Sequence, residues 1–296
     1  MAAPALPFVR GVAVDLFHRD LGGAGKPPLI LLHGLLGSSR NWLTAGAELA
    51  KDYHVWALDL RNHGKSPHTA EMDYPAMVED VVAFLDGKVG AGPERDDAGH
   101  RMQEGEPASR ILQPVSRSPV TLLGHSMGGK VAMLFACRHP ERVARLVVVD
   151  IAPKQNYSAP NRASFAAMNE LHLGDLRSRA EAELRLEARV TSWGMRKFLT
   201  TNLEQAEDGA WRWQVNVPVL TAALTALEAN PLGAGDTYAG PARFIAGAQS
   251  NYIETGDEVA IQRHFPRADL VRIEGAGHNP HMDARDAFVA AVRESG

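Results

Sequence analysis

The stretch Val120-Thr-Leu-Leu-Gly124-His-Ser126-Met-Gly128-Gly129-Lys130 decides the fold, because an apolar strand leads directly into Gly-x-Ser-x-Gly and then into helix-forming residues. The glycines at 124 and 128 lack the Cβ atoms that would collide in so sharp a turn. Ser126 can then adopt a strained backbone conformation with its hydroxyl exposed above the sheet. The pattern is typical of a nucleophile elbow; the alternative is a glycine-rich turn with an incidental serine.

Two further segments fit a serine nucleophile. The strand Pro28-Leu-Ile-Leu-Leu ends in His33-Gly34-Leu35, a loop suited to supply one backbone N–H to an oxyanion. The second N–H is expected from Met127, the residue after the serine. Near the C-terminus the strand Leu270-Val-Arg-Ile precedes a glycine-bracketed histidine, His278, which follows the serine in the chain order expected of a general base.

The acid that would orient His278 is less obvious. In the usual arrangement it follows the penultimate strand, but here that strand ends Gly247-Ala-Gln-Ser250, and a neutral serine occupies the place. Two carboxylates remain as candidates. Asp257 comes seven residues later and resembles the N-cap of a helix. Asp150 ends the run Leu146-Val-Val-Val, at the carboxyl edge of the strand beside the nucleophile strand.

Three motifs together make the chain similar to α/β-hydrolases over nearly its whole length: Asp59-Leu-Arg61-Asn62-His63-Gly64, the elbow with its trailing Lys130-Val-Ala-Met, and Val147-Val-Val-Asp150. In combination they resemble the bacterial acyl-ester and acyl-thioester esterases related to abhydrolase domain-containing protein 11. This branch takes its acid from the position 24 residues after the nucleophile, so the resemblance favours Asp150 over Asp257.

Apolar runs predict strands at 12–17, 29–32, 55–60, 120–123, 146–149, 243–246 and 270–273, with helices in most of the gaps. Alternating strands and helices indicate a mostly parallel sheet covered on both faces. The resemblance implies the α/β-hydrolase fold, with a mostly parallel eight-stranded sheet flanked by helices and a helical cap inserted after strand 6. We expect residues 1–153 and 240–296 to form the core and residues 154–239 the cap.

Residues 86–118 depart from a minimal core. They are rich in Gly, Pro and charged residues, and their apolar residues are too sparse to offset the entropy of ordering. We therefore predict a long surface loop here.

Composition narrows the function class. The chain has 296 residues, a formal net charge of −4 and one cysteine, Cys137. The negative charge argues against a nucleic-acid binder. The lone cysteine excludes an internal disulfide and fits a reducing compartment, and no apolar run reaches the roughly 18 residues of a membrane span. We expect a cytoplasmic enzyme without metal or cofactor, because no His, Cys and carboxylate grouping or phosphate loop stands out.

The predicted activity is hydrolysis of small acyl esters or thioesters, with Ser126 as nucleophile, His278 as base, Asp150 as acid, and the Leu35 and Met127 amides as the oxyanion hole. Candidate pocket residues from the cap are Met168, Leu171, Trp193, Met195 and Phe198, although such residues more often form the core of a cap. Three alternatives share the fold: a carbon–carbon bond hydrolase or cofactor-free perhydrolase on the same triad, an acyltransferase, and a non-catalytic ligand-binding protein.

Overall fold

A computed structural model describes residues 12–89 and 118–294 of the chain. Within these ranges the strands are β1 (His18–Asp20), β2 (Pro28–Leu32), β3 (His54–Leu58), β4 (Val120–His125), β5 (Val143–Val149), β6 (Leu203–Gln205), β7 (Trp211–Trp213), β8 (Ala242–Gly247) and β9 (Ala268–Ile273). Seven of them form one sheet in the order β1-β3-β2-β4-β5-β8-β9. Only the β1–β3 pair in this sheet is antiparallel.

Helices occupy most connections between these strands. They are α1 (Leu43–Leu49), α2 (Tyr74–Phe84), α3 (Met127–Arg138), α4 (Ala159–Glu170), α5 (Arg179–Leu186), α6 (Trp193–Thr200), α7 (Val217–Glu228), α8 (Asp257–His264), α9 (Pro280–Asp283) and α10 (Arg285–Arg293). The alternation predicted a parallel sheet covered on both faces, and this is the architecture observed.

Strand β2 illustrates why the sheet needs cover on both sides. Its residues from Leu29 to Leu32 are fully buried, and successive side chains point to opposite faces of a strand. Ile30 and Leu32 belong to the larger apolar cluster, whereas Leu29 and Leu31 belong to the second one, beneath α1 and α10. The near-continuous apolar run in the sequence is therefore the signature of a doubly covered central strand.

The first strand and the strand count differ from the prediction. Residues 12–17 are not a strand, because their backbone amides bond to side chains: Val14 donates to Asp80 and Phe17 to Ser66. Pairing with β3 begins only at His18. The sheet has seven strands in the described residues, rather than the eight expected.

The predicted surface loop at residues 86–118 begins differently from expectation. Its first residues extend α2 as a π-helical turn, Leu85–Val89, and Asp86 forms an ion pair with Arg142. The remainder of that prediction, residues 90–117, lies outside the described residues.

Between β5 and β8 lie four helices, α4 to α7, and the two-stranded sheet of β6 and β7. We call residues 154–239 the inserted segment. Its two ends are joined at the base, where the Asn156 N–H donates to the Glu228 carbonyl at 2.8 Å. Lys130 of α3 donates to the Glu228 and Ala229 carbonyls at 3.0 and 2.7 Å, so the base is also bonded to the core.

The turn from β4 to α3 is as tight as the glycine spacing predicts. Ser126 has φ 51° and ψ −116°, a conformation that few non-glycine residues adopt. A Cβ atom at Gly124 would lie 2.1 Å from the Gly128 carbonyl oxygen, and one at Gly128 would lie 2.6 Å from the Leu32 carbonyl oxygen. Both contacts are with backbone, so no side-chain movement could relieve them.

Gly124→Ala should therefore lower the free energy of unfolding by about 3 kcal/mol or more, because the added methyl group forces β4 and α3 apart. Urea denaturation followed by circular dichroism measures this loss. Gly174→Ala is the matched control: a Cβ added there would meet nothing within 4 Å and its φ is not left-handed, so its effect should stay within about 1 kcal/mol. Equal effects of the two substitutions would contradict this account of the turn.

Candidate active site

The structure brings the three sequence-predicted side chains into one hydrogen-bonded chain. His278 follows β9, and its Nε2 lies 3.1 Å from Ser126 Oγ. Its Nδ1–H donates to Asp150 Oδ2 at 2.7 Å. A histidine bonded in this way has a neutral tautomer with its Nε2 lone pair directed at the serine, the arrangement of a general base.

Asp257, the other candidate acid, lies elsewhere. It occupies the first turn of α8, where its carboxylate accepts the Glu254 N–H at 2.7 Å and the Lys154 ammonium at 2.7 Å. Gly256 is the N-cap of α8, so the N-cap role predicted for Asp257 is wrong, and none of its bonds involves His278.

The Asp150 carboxylate is fully buried, and each of its oxygens accepts a hydrogen bond. Oδ1 accepts the Gly247 N–H at the end of β8 at 3.0 Å. Oδ2 accepts the Ser250 hydroxyl as well as His278. Ser250 thus occupies the chain position where the acid is usually found, and its hydroxyl donates to Asp150. The sequence showed a serine in place of the usual carboxylate, but it did not predict the contact between Ser250 and Asp150, because that contact depends on the adjacency of β5 and β8.

Asp150 also has a positive φ of 51°, unusual for a residue other than glycine. Its N–H donates to the Ile245 carbonyl of β8 at 2.8 Å. The backbone is thus held at the point where β5 ends, and the side chain turns toward the loop that carries His278.

The two predicted oxyanion donors lie beside Ser126. Met127 is the first residue of α3, where a helical N–H has no intrahelical acceptor, and Leu35 lies in the turn after β2. Within the described ranges neither amide donates to a protein acceptor. Two unpaired N–H groups at one serine are suited to bind a negatively charged oxygen.

Three side chains, His33, His63 and Asn202, fix the Leu35 turn. His63 Nε2 accepts the Leu36 N–H at 3.2 Å, and His33 Nε2 accepts the Leu60 N–H at 2.9 Å. Asn202 of the inserted segment donates to the Leu36 carbonyl at 2.9 Å. Leu36 itself has a φ of 61°, so these bonds hold a strained backbone in place.

Four histidines around the site, His33, His63, His125 and His281, are buried, which disfavours their charged forms. Burial lowers the pKa of His63 and of His281 to about 3, and it lowers the pKa of His33 and His125 as well. Neutrality is what their bonds require, because His33 and His63 each accept a backbone N–H through a ring nitrogen. His125 donates from Nε2 to the His278 carbonyl at 2.7 Å and so positions the histidine loop.

A cavity of about 510 Å³ opens at Ser126, within the size range of small-molecule sites. Met195 and Phe198 of α6 line it, together with Trp42 and Met282 of the core. Of the five candidate pocket residues, these two from the inserted segment face the serine.

The other three candidate pocket residues do not line this cavity. Met168 and Leu171 are buried in the core cluster at the α4 end, because α4 packs on α7. Trp193 is 65 % exposed at the start of α6, and the Lys197 ammonium lies 5.4 Å from its ring centroid. Helical patterning identified the helices but not which side of each faces the serine.

A second, smaller chamber of about 40 Å³ meets Ser126 from the α3 side. It is more polar, with Lys130, Glu228 and Asn156 among its walls. Burial lowers the pKa of Lys130 to about 8, and the Asn156 side-chain oxygen has no hydrogen-bond partner among the described residues. Tyr252 lines both chambers.

Within residues 12–89 and 118–294, no three His, Cys, Asp or Glu side chains are grouped as a metal site. In the same ranges, every helix is too short or too polar to cross a membrane. Cys137 is unpaired, and burial raises the pKa of its thiol to about 12, which fits a packing role in α3.

Comparisons with known proteins identify relatives over almost the whole chain. A family model described as the alpha/beta hydrolase fold matches residues 27–285. The sn-1-specific diacylglycerol lipase ABHD11 of Xenopus tropicalis is 38% identical over 288 residues, covering 94% of this chain and 81% of the relative. Esterase YbfF of Escherichia coli strain K12 is 32% identical over 269 residues, covering 90% and 91%. A solved structure called marine microorganism esterase superposes with a TM-score of 0.82 at 33% identity, covering 95% and 98%.

The buried histidines predict a loss of stability in mild acid. His63 and His281 have folded-state pKa values of about 3, against an ordinary value of 6.5, so the unfolded chain binds more protons between these limits. Each of the two histidines should then lower the free energy of unfolding by about 1.4 kcal/mol per pH unit as the pH falls below 6.5. Urea denaturation at a series of pH values should show this slope.

His281→Gln removes one of these histidines. It should therefore reduce the slope of the unfolding free energy against pH by the amount that corresponds to about one bound proton. His68→Gln, at an exposed position, should leave it unchanged. A slope equal in all three proteins would show that His281 does not remain neutral in the folded state.

Proposed function

This chain belongs to the α/β-hydrolase family and is a carboxylic ester hydrolase, and we propose that it cleaves acyl esters or acyl thioesters through an acyl-enzyme formed on Ser126. The observation that carries the proposal is the hydrogen-bonded chain from Ser126 through His278 to Asp150. The unpaired amides of Leu35 and Met127 beside it support the same mechanism.

In this mechanism Ser126 Oγ attacks the substrate carbonyl carbon while its proton moves to His278 Nε2. Asp150 holds the Nδ1–H and stabilises the imidazolium that forms. The carbonyl oxygen, now negatively charged, accepts hydrogen bonds from the Leu35 and Met127 amides. His278 then returns the proton to the departing alkoxide or thiolate, and the acyl group remains on Ser126.

Deacylation repeats these steps with water as nucleophile. His278 removes a proton from the water as its oxygen attacks the acyl carbonyl. The tetrahedral intermediate then collapses, His278 returns the proton to Ser126 Oγ, and the carboxylic acid departs. The same base, acid and oxyanion donors serve both halves of the reaction, so the loss of any one should affect both.

We further propose that residues 154–239 act as a cap over this site, on a core of residues 1–153 and 240–296. Met195 and Phe198 supply part of the cavity wall, and Asn202 supports the Leu35 turn from the same segment. A cap in this place would limit water and shape the acyl site. A panel of p-nitrophenyl esters, glycerol esters and acyl-CoA thioesters graded by chain length would define the preferred acyl group and leaving group.

Ser126→Ala should leave a folded protein whose kcat/KM for a p-nitrophenyl ester is reduced by about 10⁴-fold or more, because it removes the hydroxyl that His278 Nε2 contacts. A fluorophosphonate probe should label the unsubstituted protein at Ser126 and should not label the variant. Retention of more than a few per cent of the activity in a pure sample would reject the acyl-enzyme mechanism.

Asp150→Asn should lower kcat by roughly 10³ to 10⁴-fold, because an amide favours the wrong histidine tautomer and cannot balance the imidazolium charge. Asp257→Asn is the matched control: it weakens the ion pair with Lys154 at a cost of at most about 1 kcal/mol in stability and should leave kcat little changed. Circular dichroism establishes folding of both variants. A severe loss in Asp257→Asn with a mild loss in Asp150→Asn would reverse the assignment of the acid.

A further inference from the structure

The ring of Tyr252 lies flat against the imidazole of His278. The two ring centroids are 3.9 Å apart and the planes are inclined by 20°, the closest aromatic contact that His278 makes in the described residues. The mechanism set out above assigns no task to this side chain, although Tyr252 is half-buried and borders both chambers at Ser126.

The position of Tyr252 is fixed by the same network that holds His278. Its N–H donates to Ser250 Oγ at 3.3 Å, and the Ser250 hydroxyl donates to Asp150. The ring is thus attached through the backbone of the β8 loop to the carboxylate that also holds the imidazole. The Tyr252 hydroxyl has no hydrogen-bond partner among the described residues, so the stacked position depends on the ring and the backbone.

Several titratable groups of the described residues lie around His278. Asp150 at the end of β5 accepts from Nδ1, and Ser126 at the start of α3 lies at Nε2. The neighbouring histidines, His125 of β4 and His281 of α9, are kept neutral by burial. Asp283 of α9 accepts the Gly277 N–H at 2.9 Å, beside the histidine loop. Asp150 therefore contacts the imidazole through a hydrogen bond, and the face of Tyr252 contacts it by stacking. Both contacts favour a positive charge on the ring.

An aromatic face carries negative potential and attracts a cation held over it. Neutral imidazole gains mainly dispersion from such a stack, whereas imidazolium also gains the cation–π attraction. His278 becomes imidazolium in the transition states of acylation and deacylation, so this added attraction would lower both barriers. The flat contact also opposes rotation of the imidazole, which would break both of its hydrogen bonds.

We propose that Tyr252 is a positioning residue that stabilises the imidazolium form of His278 and keeps its ring aligned between Asp150 and Ser126. The kinetic part of this inference rests on the proposed function. The effect on His278 protonation does not, because it is a property of the stacked pair in the resting protein.

The test measures the pKa of His278 by NMR titration of its Cε1–H group, identified by its absence from the spectrum of His278→Gln. Tyr252→Leu should lower this pKa by about 0.5 unit or more, because the aromatic face is lost while an apolar side chain still excludes water. Tyr252→Phe keeps the aromatic ring, so its His278 pKa should stay close to that of the unsubstituted protein. Tyr53→Leu makes the same chemical change in the turn before β3 and should leave the His278 pKa unaltered.

Ester hydrolysis supplies the second readout. In Tyr252→Leu, kcat should fall about threefold or more, and the acidic limb of the kcat/KM profile should move to lower pH with the His278 pKa. A merely structural role would lower the melting temperature without moving that limb, and a role in substrate binding alone would raise KM at constant kcat. If Tyr252→Leu does not fold, Tyr252→Met provides the same comparison.

An unchanged or raised His278 pKa in a folded Leu or Met variant would overturn the proposal, as would a shift in Tyr252→Phe as large as that in Tyr252→Leu. Failure of the proposed function would be a separate result: the unsubstituted protein would neither hydrolyse esters nor be labelled by the fluorophosphonate probe. The NMR comparison would decide the role of Tyr252 in that case as well.

Discussion

The site depends on one buried carboxylate whose hydrogen bonds have to be satisfied. Asp150 has no exposed surface, and an unpaired charge in such a place would be strongly destabilising. Its three donors come from two parts of the chain: the Gly247 amide and the Ser250 hydroxyl at the end of β8, and the His278 imidazole after β9. Satisfying this single carboxylate therefore fixes the end of β8, the loop after it and the loop after β9 relative to Ser126.

A second constraint is the neutrality of the surrounding histidines. His33 and His63 accept backbone N–H groups, so protonation would replace two hydrogen bonds with two repulsive contacts. Burial disfavours this protonation, whereas the His278 side chain is 29 % exposed and donates to a carboxylate. Neutral histidines thus hold the Leu35 turn without adding charge to the site.

The inserted segment takes part in the site through its base and through one wall. At the base, Lys130 of α3, one helical turn after Ser126, donates to the carbonyls that end α7. Glu228 in turn accepts the Ser158 N–H at the start of α4. Because a half-satisfied buried network is costly, these bonds constrain both ends of the segment together. The wall formed by Met195 and Phe198 is thereby held at a defined distance from the serine.

The sequence by itself determined the features that arise from local geometry and chain order. Gly124 and Gly128 predict the turn at Ser126, since a Cβ at either position meets backbone, and the apolar run before them predicts a doubly covered strand. The glycines on either side of a histidine after the last strand were enough to predict that His278 lies beside Ser126. Residue type and neighbours along the chain contain this information.

Only the tertiary structure decided the contacts between elements far apart in the chain. Asp150 and Asp257 were both plausible acids, and the adjacency of β5, β8 and β9 directs His278 to the former. The same adjacency places Ser250 on Asp150 and Tyr252 on His278, which no local pattern indicates. Met195 faces the cavity while Trp193 faces solvent, because the docking of α6 on its neighbours sets which side of the helix is turned inward. Side-chain direction depends on packing, and packing is a property of the whole fold.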